Sequence, residues 1–391
     1  MRTTICIYLL LFLFACTPGP EKELEYVLEL AGNNRPELEK VIEHYRDEPL
    51  KRDAARFLIV NMPGHGSFAN AHTDTFYHAL DTLLTLHRDL ANNPDTINSL
   101  IDRTRVMAEK LQSIPDLQYI KADYLIRSID QAFDVWINEP YARHLTFDEF
   151  CEYLLPYRVD NEPLECWRDS VAPLYFDLDS LGYFDGSEYS TFQACKIINN
   201  RLRDECRPWI SRDKWPVTKG YRLLKKMPFG KCSDYAVLAT FVMRARGVPV
   251  AIDFTPQWPF CSMGHTWNVV KVNNGSNVIF GGVDTNPGDP HRPDSKMAKV
   301  YRKTYAANRH SVAYLRGREP VPESLRSPFI KDVTGEYFKG SDANVKLLFP
   351  PAEPRKFVYL HVFDNQRWVA ISFAEKKRGM AAFKSMAGKG S

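Results

Sequence analysis

The chain has 391 residues, of which 44% are apolar and 25% are charged. It is therefore long enough for two or three domains of roughly 100–200 residues each, and its composition excludes a disordered chain. Its formal net charge of +3 gives no electrostatic reason to propose a nucleic-acid partner.

Residues 1–15 are typical of a signal peptide. Arg2 supplies a positive charge, and the apolar stretch from Ile5 to Ala15 is too short to span a bilayer. The cysteine at its end, Cys16, resembles the lipidated cysteine of the lipobox in bacterial lipoproteins. The alternative is a plain secretory signal with an incidental cysteine. We expect a lipid anchor on Cys16, a tether over residues 16–24, and a location in the bacterial cell envelope, periplasm-facing or at the cell surface.

Apolar residues recur at helical spacing over residues 25–144, for example Phe76, Leu80 and Leu83, and from Ile97 to Leu111. This pattern predicts an all-helical N-terminal region of roughly five to seven helices.

Residues 145–340 form the next predicted domain. A helix is predicted to begin at Cys232 and to end at Gly247, and strand-like segments follow at 248–254, 265–272 and 277–284. A helix followed by antiparallel strands predicts an α+β fold. Residues 345–391 are predicted to be a short β-rich segment, either minimal or truncated.

Cys232 is a candidate nucleophile because of its place at the start of a helix. First-turn amides and the positive end of the helix dipole favour a thiolate, and the same amides can donate to an oxyanion. The alternative is a buried structural cysteine.

His265 and Asp284 belong to a predicted hairpin. Asn274–Gly275 is a strong signal for a two-residue type I′ turn, which sets Asn273 opposite Ser276. Regular pairing on that register sets His265 opposite Asp284, with their Cβ atoms about 5 Å apart. A carboxylate in this position would orient the imidazole as a base. The alternative is a surface ion pair.

Three separated segments carry a resemblance to the transglutaminase-like superfamily. Gly230–Ala236 resembles its nucleophile helix, Gly264–Val269 its histidine strand, and Val283–Asp284 its aspartate. Residues 152–158 and 162–168 also resemble transglutaminase-like lipoproteins of Bacteroidetes. Thr266 and Asn268 depart from the small and acidic residues that often flank the family's histidine and tryptophan, which leaves substrate choice open.

The resemblance implies a papain/transglutaminase-like core, with the nucleophile helix against an antiparallel sheet. Cys232 would be the nucleophile, His265 its base and Asp284 the residue that orients His265. The implied chemistry is acyl transfer through a thioester on a peptide or protein substrate, which can be glycan-linked. Release by water makes a protease or amidase, and release by an amine makes a transglutaminase. We expect hydrolysis, because the sequence singles out no site for an acceptor amine.

Some roles remain open at this stage. The second oxyanion donor is Trp209, Trp215 or Gln193, and Trp267 either shields the site or belongs to the core. The alternative function is an inactive scaffold that binds envelope or extracellular glycans or proteins.

The remaining cysteines and acidic residues suggest no further chemistry. Cys151 with Cys166, or Cys195 with Cys206, are conceivable disulfides, and buried free thiols are equally compatible with the sequence. The chain has no phosphate-binding glycine loop, and its Asp284, Asp289 and Asp294 lack EF-hand spacing. We therefore expect no required metal or cofactor.

Overall fold

The computed structural model describes residues 19–70, 73–86, 99, 111–175, 178, 190–206, 209–210, 219–227, 229–259, 263–290, 297–348, 355–364 and 366–387. The predicted signal peptide, the predicted lipidation site Cys16 and nearly all of the helix predicted over 97–111 lie outside these residues. Within the described ranges, no helix is both long and apolar enough to cross a membrane.

Helices dominate the N-terminal part of the chain. They are α1 (Pro20–Leu30), α2 (Arg35–His44), α3 (Pro49–Val60), α4 (Thr73–Leu86), α5 (Asp116–Tyr119) and α6 (Ala122–Asn138). In α6, Leu125, Ile129 and Ala132 recur on one face and are fully buried against α2 and α3. Burial of such a stripe holds these short helices together, since isolated helices of this length are marginal in water.

The prediction of an all-helical N-terminal region was wrong in one respect. Strand β1 (Gly66–Ala69) pairs antiparallel with β2 (Gln112–Pro115). Gly66 permits this pairing, because a Cβ there would lie 2.5 Å from the backbone oxygen of Ile114. The two strands are far apart in sequence, so helical periodicity could not reveal the ribbon.

The central part of the chain combines five helices with an antiparallel sheet. The helices are α7 (Phe147–Tyr153), α8 (Trp167–Val171), α9 (Ser190–Cys206), α10 (Tyr221–Lys226) and α11 (Cys232–Ala245). The strands are a short parallel pair, β3 (Trp209–Ile210) with β4 (Phe229–Gly230), then β5 (Val250–Thr255), β6 (His265–Lys271), β7 (Asn277–Phe280), β8 (Tyr301–Lys303) and β9 (Ile330–Asp332). The five-stranded sheet has the order β7-β6-β5-β8-β9, and α11 packs on one face of it. The prediction of an α+β fold is confirmed at this level.

A buried ion pair joins two strands of this sheet. Arg302 donates to both carboxylate oxygens of Asp253 at 2.8 Å, and Asp253 is fully buried. Tyr337 donates to the same carboxylate at 2.6 Å and accepts a hydrogen bond from the Trp267 indole at 2.8 Å. Loss of Arg302 would leave an uncompensated buried charge, which is usually destabilising by about 3–5 kcal/mol. The network therefore fixes β6, the strand that carries His265, to its neighbours.

The last part of the chain forms a four-stranded antiparallel sheet. Short helices α12 (Val312–Leu315) and α13 (Thr334–Tyr337) precede its strands β10 (Gly340–Lys346), β11 (Phe357–Phe363), β12 (Trp368–Lys377) and β13 (Met380–Ala387). The strand order is β10-β13-β12-β11. Strands β11, β12 and β13 lie within the segment 345–391 that was predicted to be β-rich, and β10 begins five residues before it.

The predicted register of the β6–β7 hairpin was wrong. The loop contains three residues, Asn273–Gly275, because the Val272 amide donates to Ser276 O at 2.9 Å and Gly275 has φ +84°. Such loops are the second common hairpin type. The cause is a tertiary contact: the Asn273 side-chain oxygen accepts hydrogen bonds at the start of α9, from the Thr191 amide at 3.0 Å and the Thr191 hydroxyl at 2.7 Å.

The cysteines that the structure describes are free thiols. Cys151, Cys195 and Cys206 are buried, Cys166 is exposed and Cys232 is half-buried. The two conceivable disulfides are therefore not formed. Burial raises the pKa of the Cys151, Cys195 and Cys206 thiols, so these three stay protonated and unreactive.

Candidate functional site

Cys232 is the first residue of α11, and Lys231 is the N-cap. The Asp234 carboxylate in the first turn accepts a hydrogen bond from the Lys231 amide at 2.8 Å, which ties the chain to the helix start. The first-turn amides of α11 have no acceptor within the helix. A half-buried thiol thus lies where unpaired N–H groups and the helix dipole favour negative charge.

A buried lysine lies beside this helix start. The Lys219 ammonium forms an ion pair with Asp234 at 3.0 Å, and its side chain is only 3% exposed. Burial lowers the pKa of Lys219, while the Asp234 carboxylate opposes that change. The sequence analysis did not identify this lysine, because the segment before it has no regular pattern.

The structure narrows the candidates for a second oxyanion donor. Strand β3 pairs in parallel with β4, so that Trp209 faces Phe229 and Ile210 faces Gly230, two residues before Cys232. This pairing brings the backbone of Trp209 and Ile210 beside the approach to the thiol. Gln193 lies exposed on α9, and Trp215 lies outside the described residues. Of the three predicted residues, Trp209 is the one that lies on a strand paired with the segment directly before Cys232.

His265 is the first residue of β6 and pairs with Thr255 across the β5–β6 hairpin. Gly264 is required just before it, because a Cβ there would lie 2.2 Å from Thr255 O. The imidazole stacks beside two indoles, with ring centroids 6.0 Å from Trp258 and 5.7 Å from Trp267. Trp267 is 1% exposed, so it belongs to the core and also forms a wall beside His265.

Cys232 and His265 lie at the same end of the central core. Arg244, near the end of α11, donates to Val250 O at 3.4 Å, and Val250 pairs with Val270 of β6. Further toward the helix start, Asn268 donates to Ala236 O at 3.0 Å. From this contact, β6 extends about 10 Å back from Asn268 to its first residue, His265. The helix α11 extends about 6 Å in the same direction, from Ala236 back to its first residue, Cys232.

The alternation of side chains along β6 separates His265 from the residues of this strand that face α11. Asn268 and Val270 face α11, whereas His265 shares the opposite face with Trp267, against which its ring stacks. His265 lies at the first position of the strand, where its backbone is at the edge of the sheet rather than in its middle.

Asp284 lies in a turn rather than in a strand. Strand β7 ends at Phe280, and the Asp284 amide donates to Gly281 O at 3.0 Å to close the turn. The predicted placement of Asp284 directly opposite His265 was therefore wrong, because the hairpin is shifted by one residue and ends earlier. The Asp284 side chain is exposed, and its backbone oxygen accepts a hydrogen bond from Arg203 at 3.0 Å.

Asn199 of α9 holds this turn in place. It is fully buried, its amide donates to Gly281 O at 3.3 Å and Thr285 O at 3.1 Å, and its oxygen accepts from the Val283 amide at 2.8 Å. Val283 has φ +66°, which is strained for a β-branched residue and persists only where surrounding contacts fix it. The sequence analysis did not identify Asn199. The signal that could have revealed it is a polar residue on the apolar face of a helix.

Gly282 brings the same turn against α11. A Cβ at this position would lie 2.6 Å from Ala239 Cβ, 2.7 Å from Tyr235 O and 2.7 Å from the side-chain oxygen of Asn268. Only a glycine permits this approach. The turn that carries Asp284 is thereby packed on the first half of the helix that begins with Cys232.

A cleft of about 540 Å³ adjoins His265. One wall is the β5–β6 loop with Gln257, Met263 and Gly264, and the other is the β11–β12 turn with Asp364 and Arg367. Gly264, which directly precedes His265, is the lining residue nearest to it in the chain. Among the described residues, no group of three His, Cys, Asp or Glu side chains could hold a metal ion.

Comparison of the chain with protein-family models, with curated proteins and with solved structures finds no match. The assignment of function thus rests on the residues and their geometry.

Proposed function

We propose that the chain is a lipid-anchored protein of the cell envelope with a transglutaminase-like thiol site. Cys232 would be the nucleophile, His265 the base and Asp284 the residue that orients the imidazole. The observation that carries this proposal is the convergence of three elements at one end of the core: the start of α11, the start of β6 and the turn that Gly282 packs on α11.

The chemistry follows from these roles. His265 takes the thiol proton, and the Cys232 sulfur attacks an amide carbonyl whose oxygen is stabilised by the Cys232 amide and the β3 backbone. The carbon–nitrogen bond then breaks as the imidazolium gives its proton to the leaving amine, which leaves a thioester. Water attacks the thioester, the imidazole takes the proton from that water, and the thiolate leaves. Catalysis requires the His265 imidazole to be within hydrogen-bond reach of the Cys232 thiol.

Hydrolysis of a peptide or protein amide is the preferred outcome. The cleft beside His265 has polar walls from Gln257 and Arg367 and is open to an extended chain. No described feature marks a separate site for an acceptor amine, and transfer of the acyl group to water does not require such a site.

A second candidate is a binding scaffold that retains the fold without the activity. It is favoured by one specific observation, the position of His265 on the face of β6 that does not contact α11. In that case the cleft would bind a peptide or glycan without turnover.

Trapping of the acyl-enzyme distinguishes the two candidates. Wild-type protein and the Cys232→Ala variant are incubated with a library of peptide amides in two parallel reactions. One is quenched in acid without hydroxylamine, so that peptide mapping by mass spectrometry locates acyl groups, and the other contains hydroxylamine, which converts the thioester to an acyl hydroxamate and the free thiol. We expect an acyl adduct on Cys232 and acyl hydroxamates with the wild type only. Cys166→Ala, at an exposed thiol away from the site, is the matched control and should behave as the wild type. Peptide binding without any adduct on Cys232 would support the scaffold and refute the enzyme.

The anchor is tested separately by metabolic labelling with an alkyne fatty acid. We expect label on the wild type and none on Cys16→Ser. Cys6→Ser, in the same leader, is the control and should retain the label. Equal labelling of Cys16→Ser and wild type would contradict the lipoprotein assignment.

A further inference from the structure

A second cavity lies at the other end of α11. It has a volume of about 230 Å³, and its walls include Arg244, Ile252, Phe254, Lys303, Tyr305 and Phe329. Cys232 and Arg244 are twelve residues apart on one helix, which corresponds to about 18 Å along its axis. The cavity is therefore separate from the candidate thiol site.

Arg244 is buried and forms no ion pair, although the carboxylates of Glu152 and Glu162 act on its charge from a longer distance. Its guanidinium donates to backbone oxygens, those of Glu152 at 3.3 Å and of Arg158 and Val250 at 3.4 Å, and its buried Nε atom has no hydrogen-bond partner. The Glu152 carboxylate instead accepts hydrogen bonds from the Tyr305 and Ala306 amides at 2.8 and 3.1 Å. Burial lowers the pKa of Arg244 to about 10.

The other cations of the cavity differ, because each has a carboxylate partner. Arg158 pairs with both oxygens of Asp116 and lies next to Glu162, and Lys303 pairs with Asp160 at 2.8 Å. Arg244 is therefore the one cation lining this cavity, among the residues that the structure describes, that lacks an ion pair.

A buried guanidinium with unused donors is costly unless an anion accompanies it. A carboxylate can accept two parallel hydrogen bonds from such a group. Part of the wall is apolar, since Ile252, Phe254 and Phe329 line the cavity together with polar and charged residues. Apolar side chains combined with a few placed polar groups are typical of a small-molecule site.

We propose that this cavity binds a small organic carboxylate, whose charged group pairs with Arg244 and whose apolar body packs between Phe254 and Phe329. The volume corresponds to roughly eight water molecules at about 30 Å³ each, which limits the ligand to a small acid. A monoanion matches the single unpaired cation. A dianion such as phosphate is disfavoured because the carboxylate of Glu323 also lines the cavity, at its exposed rim.

Calorimetric titration with named probes tests this proposal. The probes are butanoate, 3-methylbutanoate and phenylacetate, with phenylacetamide as the neutral isostere of phenylacetate and inorganic phosphate as the dianion. We expect the full-length protein to bind at least one carboxylate at millimolar concentration or below. Phenylacetamide and phosphate should each bind at least about tenfold more weakly than the best carboxylate.

Three variants locate the site. Arg244→Met should abolish carboxylate binding, and Asn161→Trp, at an exposed position that lines the cavity, should weaken binding at least about tenfold without affecting the fold. Glu323→Gln should strengthen binding of the carboxylate and leave that of the amide unchanged. If Arg244→Met fails to fold, Asn161→Trp still tests whether the carboxylate binds in this cavity.

The proposal is overturned if no carboxylate binds, if phenylacetamide or phosphate binds as tightly, or if carboxylate binding survives Asn161→Trp unchanged. Each of these results is independent of Cys232, so failure here leaves the proposed thiol chemistry untouched.

Discussion

The two ends of α11 differ in charge and in burial. At its first residue lies a half-buried thiol, and near its last residues lie Arg244 and Arg246, each 7% exposed. The dipole of a helix is positive at its N-terminus and negative at its C-terminus. One helix therefore favours an anion at the first end and holds cations at the second. The first end, with its half-buried thiol, is the one for which we propose a macromolecular substrate, and the second is the one for which we propose a small ligand.

The largest expected loss of stability comes from a substitution that pushes the Asp284 turn away from the first end of this helix. Gly282→Ala places a Cβ atom 2.6 Å from Ala239 Cβ and 2.7 Å from a backbone oxygen. Because backbone has to shift, we expect the free energy of unfolding to fall by about 3 kcal/mol, measured by urea denaturation. Gly335→Ala is the control, since its Cβ would meet nothing within 4 Å. Equal stability of the two variants would contradict this packing.

Loss of Asn199, whose side chain holds the Asp284 turn, should lower the stability somewhat less. Asn199→Ala removes the hydrogen bonds to Gly281 O and Thr285 O and leaves the Val283 amide without its acceptor. We expect the free energy of unfolding to fall by about 2 kcal/mol and hydrogen exchange at Val283 to accelerate. Lys196→Ala, at an exposed position of the same helix, should change neither. An unchanged exchange rate at Val283 in Asn199→Ala would show that the anchor lies elsewhere.

At the second end of α11, His65 should make stability depend on pH. Burial lowers the pKa of this histidine to about 4 from its usual 6.5, and its ring stacks on Tyr305 and Phe329. The unfolded chain takes up the proton first, so this contribution to stability is complete above pH 6.5 and is lost as the pH falls toward 4. Between about pH 7 and pH 5 the expected loss is about 1–2 kcal/mol.

The variant His65→Phe isolates this contribution, because it keeps the ring stacking and removes the proton. Burial raises the pKa of Glu162 to about 7, so that group acts in the opposite direction. Because Glu162 is present in both proteins, its contribution cancels in the difference between their free energies of unfolding. Chemical denaturation at several pH values measures that difference, and a difference that does not vary with pH would refute the assignment to His65.

The smallest expected effect concerns the charge beside the thiol, and it depends on the proposed function. Lys219→Met removes a cation near the start of α11 but leaves its partner Asp234. We expect alkylation of Cys232 by iodoacetamide at a fixed, mildly acidic pH to slow by about threefold. Lys225→Met, at a more exposed ion pair with Glu205, should leave the rate unchanged. Faster alkylation in Lys219→Met would contradict this role.

The sequence was sufficient for features set by local patterns. The start of α11 at Cys232 and the start of β6 at His265 were predicted at the residues where they occur, because glycines and apolar periodicity mark both. The α+β class followed from the order of these elements.

Features that depend on distant contacts were not predictable. The side chain of Asn273 binds the start of α9, which converts a predicted two-residue loop into a three-residue loop and moves Asp284 out of register. The cavity at Arg244 is built from segments spread between His65 and Ile330. No pattern within a single segment reports such a convergence.

The most direct test of the central claim is the reactivity of the Cys232 thiol. The purified protein is titrated with iodoacetamide between about pH 4 and pH 10, and peptide mass mapping follows Cys232 and the exposed Cys166 separately. We expect Cys232 to be alkylated faster than Cys166 at the acidic end of this range, and more slowly in His265→Ala than in the wild type. Equal alkylation rates of Cys232 and Cys166, unaffected by His265→Ala, would contradict the thiol site and favour the scaffold.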